Sequence, residues 1–76
     1  MSKKWIDPKD ALPFDDKRYD DLSVTVYLLV DGLEVPGYYD RRLNSWYCYD
    51  YEDRGYIRLE FDKVQAWRSL YLGSPT

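Results

Sequence analysis

The clearest pattern in the chain is a two-residue alternation. From Val24 to Val30 and from Leu33 to Tyr39, apolar positions alternate with polar or tyrosine positions, and Asp31-Gly32 separates the two runs. Alternation is the period of a half-buried strand. Asp-Gly is a pair that a type I′ hairpin turn selects, because both central positions of that turn need positive φ. Closing the hairpin at Val30 and Leu33 sets Leu28 opposite Val35, Val26 opposite Gly37 and Val24 opposite Tyr39. One face then carries Val24, Val26, Leu28, Val30, Leu33, Val35 and Tyr39, the expected core; the other carries Thr25, Tyr27, Leu29, Glu34, Pro36 and Tyr38. A slip of one residue would expose the whole apolar set, so the register is expected to be firmly held. Pro36 falls at a non-hydrogen-bonded site facing Tyr27. Its missing N–H points toward the next strand, where a bulge or the end of the ladder is expected.

The flanking sequence divides in the same way. Upstream, Asp7-Pro8-Lys9-Asp10 has the order of a helix start, with Asp7 as N-cap and Pro8 at the first helical position. Pro13 limits it to one turn, with Ala11 and Leu12 turned inward. The charged stretch from Phe14 to Leu22 reads as a solvated loop. Downstream, Trp46 to Tyr51 is expected to be a third strand, with Trp46 and Cys48 on one side and Tyr47, Tyr49 and Tyr51 on the other. Glu52 to Gly55 is a turn in which Gly55 is free to take positive φ. Tyr56 to Phe61 forms a fourth strand with Ile57, Leu59 and Phe61 inward, Asp62-Lys63 turns the chain, and Val64 to Arg68 forms a fifth. No 3.6-residue period is sustained. The fold class expected is therefore all-β or β-dominated α+β: a small antiparallel meander of four to five strands, curled or barrel-like, its apolar face covered by Trp5, Leu12 and Trp67. It should occupy residues 1–76 as a single domain, with 1–4 and 72–76 as loose ends.

Composition sharpens this picture. A chain of 76 residues has little surface to bury, yet it holds three Trp, nine Tyr and two Phe. Each ring can bury roughly 150–250 Å², which supplies the core that small secreted domains replace with disulfides. The single Cys48 forms no intramolecular disulfide and fits a reducing compartment. No run of 18 apolar residues and no signal-peptide core is present, so a cytoplasmic protein with no membrane partner is expected. The net charge of −3 argues against duplex nucleic acid, whose affinity rests on neutralising cations.

Candidate chemistry is sparse. The chain has no histidine, the commonest general base and zinc ligand. Cys48 lies among aromatics without a base beside it and reads as an inert buried thiol. The run Asp50-x-Glu52-Asp53-x-Gly55 opens like a calcium loop, but Phe61 stands where the bidentate glutamate belongs. No catalytic residue, metal ligand or cofactor is assigned, and the chain is not expected to be an enzyme.

Taken together, Trp5-Ile6, Leu12-Pro13, the valine-rich strand, Gly37-Tyr38-Tyr39-Asp40, Trp46 and Val64-x-x-Trp67-x-x-Leu70 form an ordered pattern over nearly the whole chain. It resembles a family of short, mostly phage- and prophage-encoded proteins, domain of unknown function 551. The closing stretch departs from that family, which places a histidine before the tryptophan where Ala66 stands here. The resemblance implies a phage or mobile-element origin and a compact β domain, and it brings no catalytic residues.

The feature above background is the tyrosines. Tyr27, Tyr38, Tyr47, Tyr49 and Tyr51 share the sheet face opposite the Val/Leu core if the meander holds. They are either a second small core covered by the N-terminal segment and the charged loop, or an exposed platform. As a platform, the preferred use is protein binding, with Asp20, Asp21, Asp50, Glu52 and Asp53, together with Asp15 and Asp16, steering toward the basic surface of a host protein. The concrete version is an inhibitor of a host or defence factor. The alternatives are a small ligand or nucleotide stacked on tyrosine with Arg41, Arg42 or Arg54 on its phosphate, and a weak homodimer formed through strand edges or this face.

Overall fold

The computed structural model describes residues 4–70. Five strands form one antiparallel sheet: β1 Val26–Val30, β2 Leu33–Asp40, β3 Ser45–Asp50, β4 Gly55–Glu60 and β5 Ala66–Ser69. Their spatial order is β4-β3-β2-β1-β5. The first four make the expected meander. The fifth crosses back and pairs with β1, so the sheet stays open, with β4 at one edge and β5 at the other. The expected loose ends, Lys4 apart, lie outside the described residues.

The hairpin register is the one the alternation dictates, from Val30↔Leu33 to Val26↔Gly37. Asp31 and Gly32 take φ of 52° and 77°, as a type I′ turn requires. The β2–β3 ladder begins at Gly37↔Cys48, immediately past Pro36, so the missing donor falls where pairing ends. Gly37 has a second role: a Cβ there would overlap the Tyr47 carbonyl oxygen and Leu28 Cδ1. The two strands approach that closely only over a glycine.

One expected pair does not form. Val24 does not oppose Tyr39; Ser23 takes that place, its N–H donating to the Tyr39 carbonyl at 2.9 Å and its hydroxyl accepting the Tyr39 N–H at 2.9 Å. The bridge Leu22↔Asp40 is therefore one residue out of step with Val26↔Gly37. An extra residue between the two registers is a β-bulge. The hydroxyl of Ser23 substitutes for a backbone partner, and Val24 is left 37% exposed instead of in the core. Leu33, also expected inside, is 66% exposed because it flanks the turn at the hairpin tip, beyond the reach of the covering layer.

The core lies on the Val/Leu face: Val26, Leu28, Tyr39, Trp46, Cys48, Val64 and Trp67, with Ile6, Val30, Val35, Leu59 and Phe61 packed against it. Its lid is the return crossing. A short 3-10 turn, Phe61–Lys63, carries Phe61 against Tyr39 and Trp46, and Val64 follows it into the core. Gln65 fastens the crossing to the hairpin, its N–H donating to the Leu29 carbonyl at 2.8 Å and its Oε1 accepting the Gly32 N–H at 3.1 Å. At the β5 edge Ile6 and Trp67 exchange both backbone hydrogen bonds, 2.8 and 3.0 Å.

The N-terminal turn forms as expected, with Asp7 Oδ1 accepting the Lys9 N–H at 2.9 Å. Ala11 and Leu12 are not turned inward: both are exposed. The carbonyl of Ala11 instead accepts the Trp67 indole N–H at 2.9 Å. Trp5 does not cover the apolar face. Its ring lies against the Arg68 guanidinium, which is on the opposite face. Positive φ in the β3–β4 turn is taken by Arg54 (55°), not Gly55. Ile57, expected inward, is 43% exposed because β4 is the edge strand and has a neighbour on one side only.

Candidate functional site

The pleat sends even-numbered residues of β2 and β4, and odd-numbered residues of β3, to the face opposite the core. The pairs Tyr38↔Tyr47, Tyr47↔Arg58 and Tyr49↔Tyr56 follow. Four tyrosines from three adjacent strands thereby meet on one surface. Tyr38 and Tyr47 stack with ring centroids 5.3 Å apart and an interplanar angle of 23°. Tyr56 lies 5.3 Å from Tyr38 and 5.5 Å from Tyr49, and Tyr49 meets Tyr51 edge-on at 4.9 Å. These contacts make one continuous aromatic cluster in preferred offset and T-shaped arrangements. Tyr51 sits in the turn beyond β3 at 67% exposure, and Tyr56 is 47% exposed.

Tyr56 was not among the tyrosines expected here. The signal was present, since Tyr56 alternates with Ile57 in phase with Arg58. Tyr27 is on the same face but stands apart from the cluster. Its ring takes the Arg68 guanidinium at 4.5 Å, while Trp5 lies 5.3 Å from that guanidinium and Arg68 pairs with Glu34. The face therefore has two halves. Around β1 and β5, Trp5 and the buried Arg68 make a small covered cluster. Across β2, β3 and β4, Tyr38, Tyr47 and Tyr49 are half-buried and Tyr56 is exposed.

The charged loop from Phe14 to Leu22 walls the open half without covering it. Asp16 N–H donates to the Leu22 carbonyl at 2.9 Å and closes the loop on itself. Arg41 holds it beside the sheet by donating to Asp15 Oδ2 at 2.6 Å, to the Asp20 carbonyl at 2.7 Å and, through its N–H, to the Asp21 carbonyl at 2.8 Å. Between loop and sheet is a cleft of about 580 Å³, lined in part by Tyr38 and Tyr47 and by Tyr19, Asp20, Asp21 and Arg42. Burial, with Tyr47 and Tyr56 beside it, pushes the Tyr38 phenol above its ordinary range.

The expected carboxylates fall at two ends of the cluster. Asp20 and Asp21 rim the cleft, with Asp21 3.8 Å from Arg42. Asp50, Glu52 and Asp53 sit at the β3–β4 turn beside Tyr49 and Tyr51, where Asp50 Oδ1 accepts the Glu52 N–H at 2.9 Å. Asp15 and Asp16 are engaged by Arg41 and Arg18. The arginines expected for a phosphate are not brought together. Arg42 lines the cleft, Arg41 is held by the loop, and Arg54 is in the β3–β4 turn.

Cys48 is buried on the core face, where burial and Asp50 push its thiol up and away from the reactive thiolate. Among the described residues no three of His, Cys, Asp and Glu gather as a metal site would need. None of the described helices is long and apolar enough to cross a membrane. A second concavity, of about 470 Å³, opens between the N-terminal segment and the sheet and is apolar, with Leu12, Phe14, Val24 and Trp67 in its wall. Comparison with protein-family models, with curated proteins and with solved structures finds no match to this chain.

Proposed function

We propose that this protein is a non-enzymatic binding module that docks a protein partner on the tyrosine cluster of β2, β3 and β4. The observation that supports this reading is a continuous run of half-buried and exposed tyrosines on the sheet face opposite the core. Tyrosine gives large, rigid contact area with little entropy to lose on binding, and it is enriched where interfaces concentrate their energy. Carboxylates at both ends of the cluster favour a partner with a basic surface and speed the encounter. The finer form of the reading is a phage or mobile-element protein in the cytoplasm of a bacterial host, inhibiting a host or defence factor. It rests on the family resemblance of the sequence together with the acidic rim.

The test is affinity capture from host lysate, followed by a binding measurement with the purified partner. Wild-type protein should bind a partner with a basic surface, more weakly as salt rises. Tyr47→Ala with Tyr49→Ala should lower affinity by at least tenfold, as loss of two interface anchors does (about 1.4 kcal/mol or more). Asp20→Lys with Asp21→Lys should mainly slow association. Unchanged affinity in the folded tyrosine variant contradicts the reading. Nucleotide binding is the weaker alternative, because only Arg42 of the three expected arginines reaches the cleft.

A further inference from the structure

The two edges of the sheet are treated differently. The β5 edge is closed by Ile6, which exchanges two backbone hydrogen bonds with Trp67. The β4 edge has no such cover among the described residues. Hydrogen-bond alternation identifies which groups it leaves free. The two-residue turn makes Val30↔Leu33 a pair that exchanges both bonds, so Leu33, Val35 and Gly37 point their main chain at β1 and Tyr38 and Asp40 point theirs at β3. Carried across the sheet, this aims Trp46, Cys48 and Asp50 at Leu59, Ile57 and Gly55. The N–H and C=O groups of Tyr56, Arg58 and Glu60 then point out of the sheet. The same counting makes Trp67 face outward at β5, where it meets Ile6.

An edge of this kind is normally blunted by proline, a bulge or an inward-pointing charge. β4 has none of these; its charges, Arg58 and Glu60, lie on the tyrosine face beside the exposed Tyr56, and the exposed Ile57 lies on the other face. We propose that β4 pairs antiparallel with β4 of a second copy, centred on Ile57. Registers centred on a residue keep the two faces in phase. Centring on Tyr56 runs past Gly55 into the turn and sets Arg58 against Arg54. Centring on Arg58 opposes two like charges. Centring on Leu59 runs past the strand into the 3-10 turn. Centring on Ile57 sets Ile57 against Ile57, places each Arg58 across from the other copy's Tyr56, and lets Tyr56 and Arg58 make four interchain hydrogen bonds. Arginine over a tyrosine ring is favourable, and the exposed apolar surface at the edge is covered. The ten-stranded sheet so formed joins two tyrosine faces into one. Five residue pairs bury less than the roughly 1,200 Å² of a stable interface, so the dimer is weak, with a Kd on the order of 100 µM.

This pairing needs no partner protein, so its test is independent of the binding reading. Sedimentation from 10 µM to 1 mM should show the mass rise from the 9.2 kDa monomer toward twice that value. Amide exchange should show Tyr56 and Arg58 gaining protection with concentration, while the Glu60 amide stays fast. Arg58→Pro removes an outward N–H that the β3 ladder does not use, together with the Arg58 hydrogen bond to Ser45 Oγ at 2.9 Å. Ile57→Lys keeps that bond and places a charge at the two-fold axis, and each should leave a folded monomer. A 9.2 kDa species throughout the range overturns the proposal. So does a dimer that persists in both variants, or one whose new protection falls outside β4.

Discussion

At the scale of single residues, Gly37 carries the tightest constraint in the sheet. Its missing Cβ is what lets the Tyr47 carbonyl and the Leu28 side chain come so near, and a backbone oxygen cannot give way as a flexible side chain can. Gly37→Ala should therefore cost about 3 kcal/mol, the upper end for overpacking. In a domain of this length the melting temperature should fall by roughly 12–24 °C, which a thermal denaturation curve reads directly. An unchanged curve would mean the strands are further apart than described. The sequence shows Gly37 opposite Val26 but not this contact, because nothing local announces how closely a third strand approaches. Ser23 is the complementary case. Its buried hydroxyl donates to the Val24 carbonyl and accepts from Tyr39, and a side chain standing in for a backbone partner is invisible to alternation.

At the scale of elements, the strands follow from the pattern and the irregularities do not. The hairpin is legible from its turn pair and its alternating valines. The third and fourth strands are each displaced by about one residue from the expected bounds. The bulge at Ser23 is not legible, and it is what removes Val24 from the core. The β3–β4 turn gives a second case. Gly55 was the residue suited to positive φ, but the closure Asp50↔Gly55 leaves Arg54 in the left-handed position, held by an N–H that donates to the Asp50 carbonyl at 2.7 Å. An L residue with a Cβ is strained there. Arg54→Gly should accordingly raise stability by about 0.5–1 kcal/mol, measured as a higher denaturant midpoint at unchanged slope. A lower midpoint would show that the Arg54 side chain has a stabilising contact.

At the scale of the whole molecule, one strand decides what is left open. Had β5 continued the meander beside β4, it would have flanked the tyrosine cluster and closed that edge. Because it crosses back to β1, the lid of the core comes from the crossing itself, and Arg68 and Trp5 cover only the β1–β5 half of the outer face. The tyrosines of β2, β3 and β4 are only half-buried, and the β4 edge is uncovered, for the same reason. The sequence shows five strands but not the side of the sheet on which the last one lands, since that depends on a crossing with no periodic signal. It also grouped Tyr27 with the platform, a placement that only the Arg68 partnership revises.

The most direct measurement is an amide NMR titration of the isotope-labelled protein with its captured partner, following every backbone position. The account predicts that the largest shifts fall on Tyr38, Tyr47, Tyr49 and Tyr56 and on the Asp20–Asp21 rim, with β1 and β5 little changed. Shifts concentrated at Leu12, Phe14, Val24 and Trp67, with the tyrosine strands unmoved, would place binding in the apolar concavity on the other side of the sheet and contradict it.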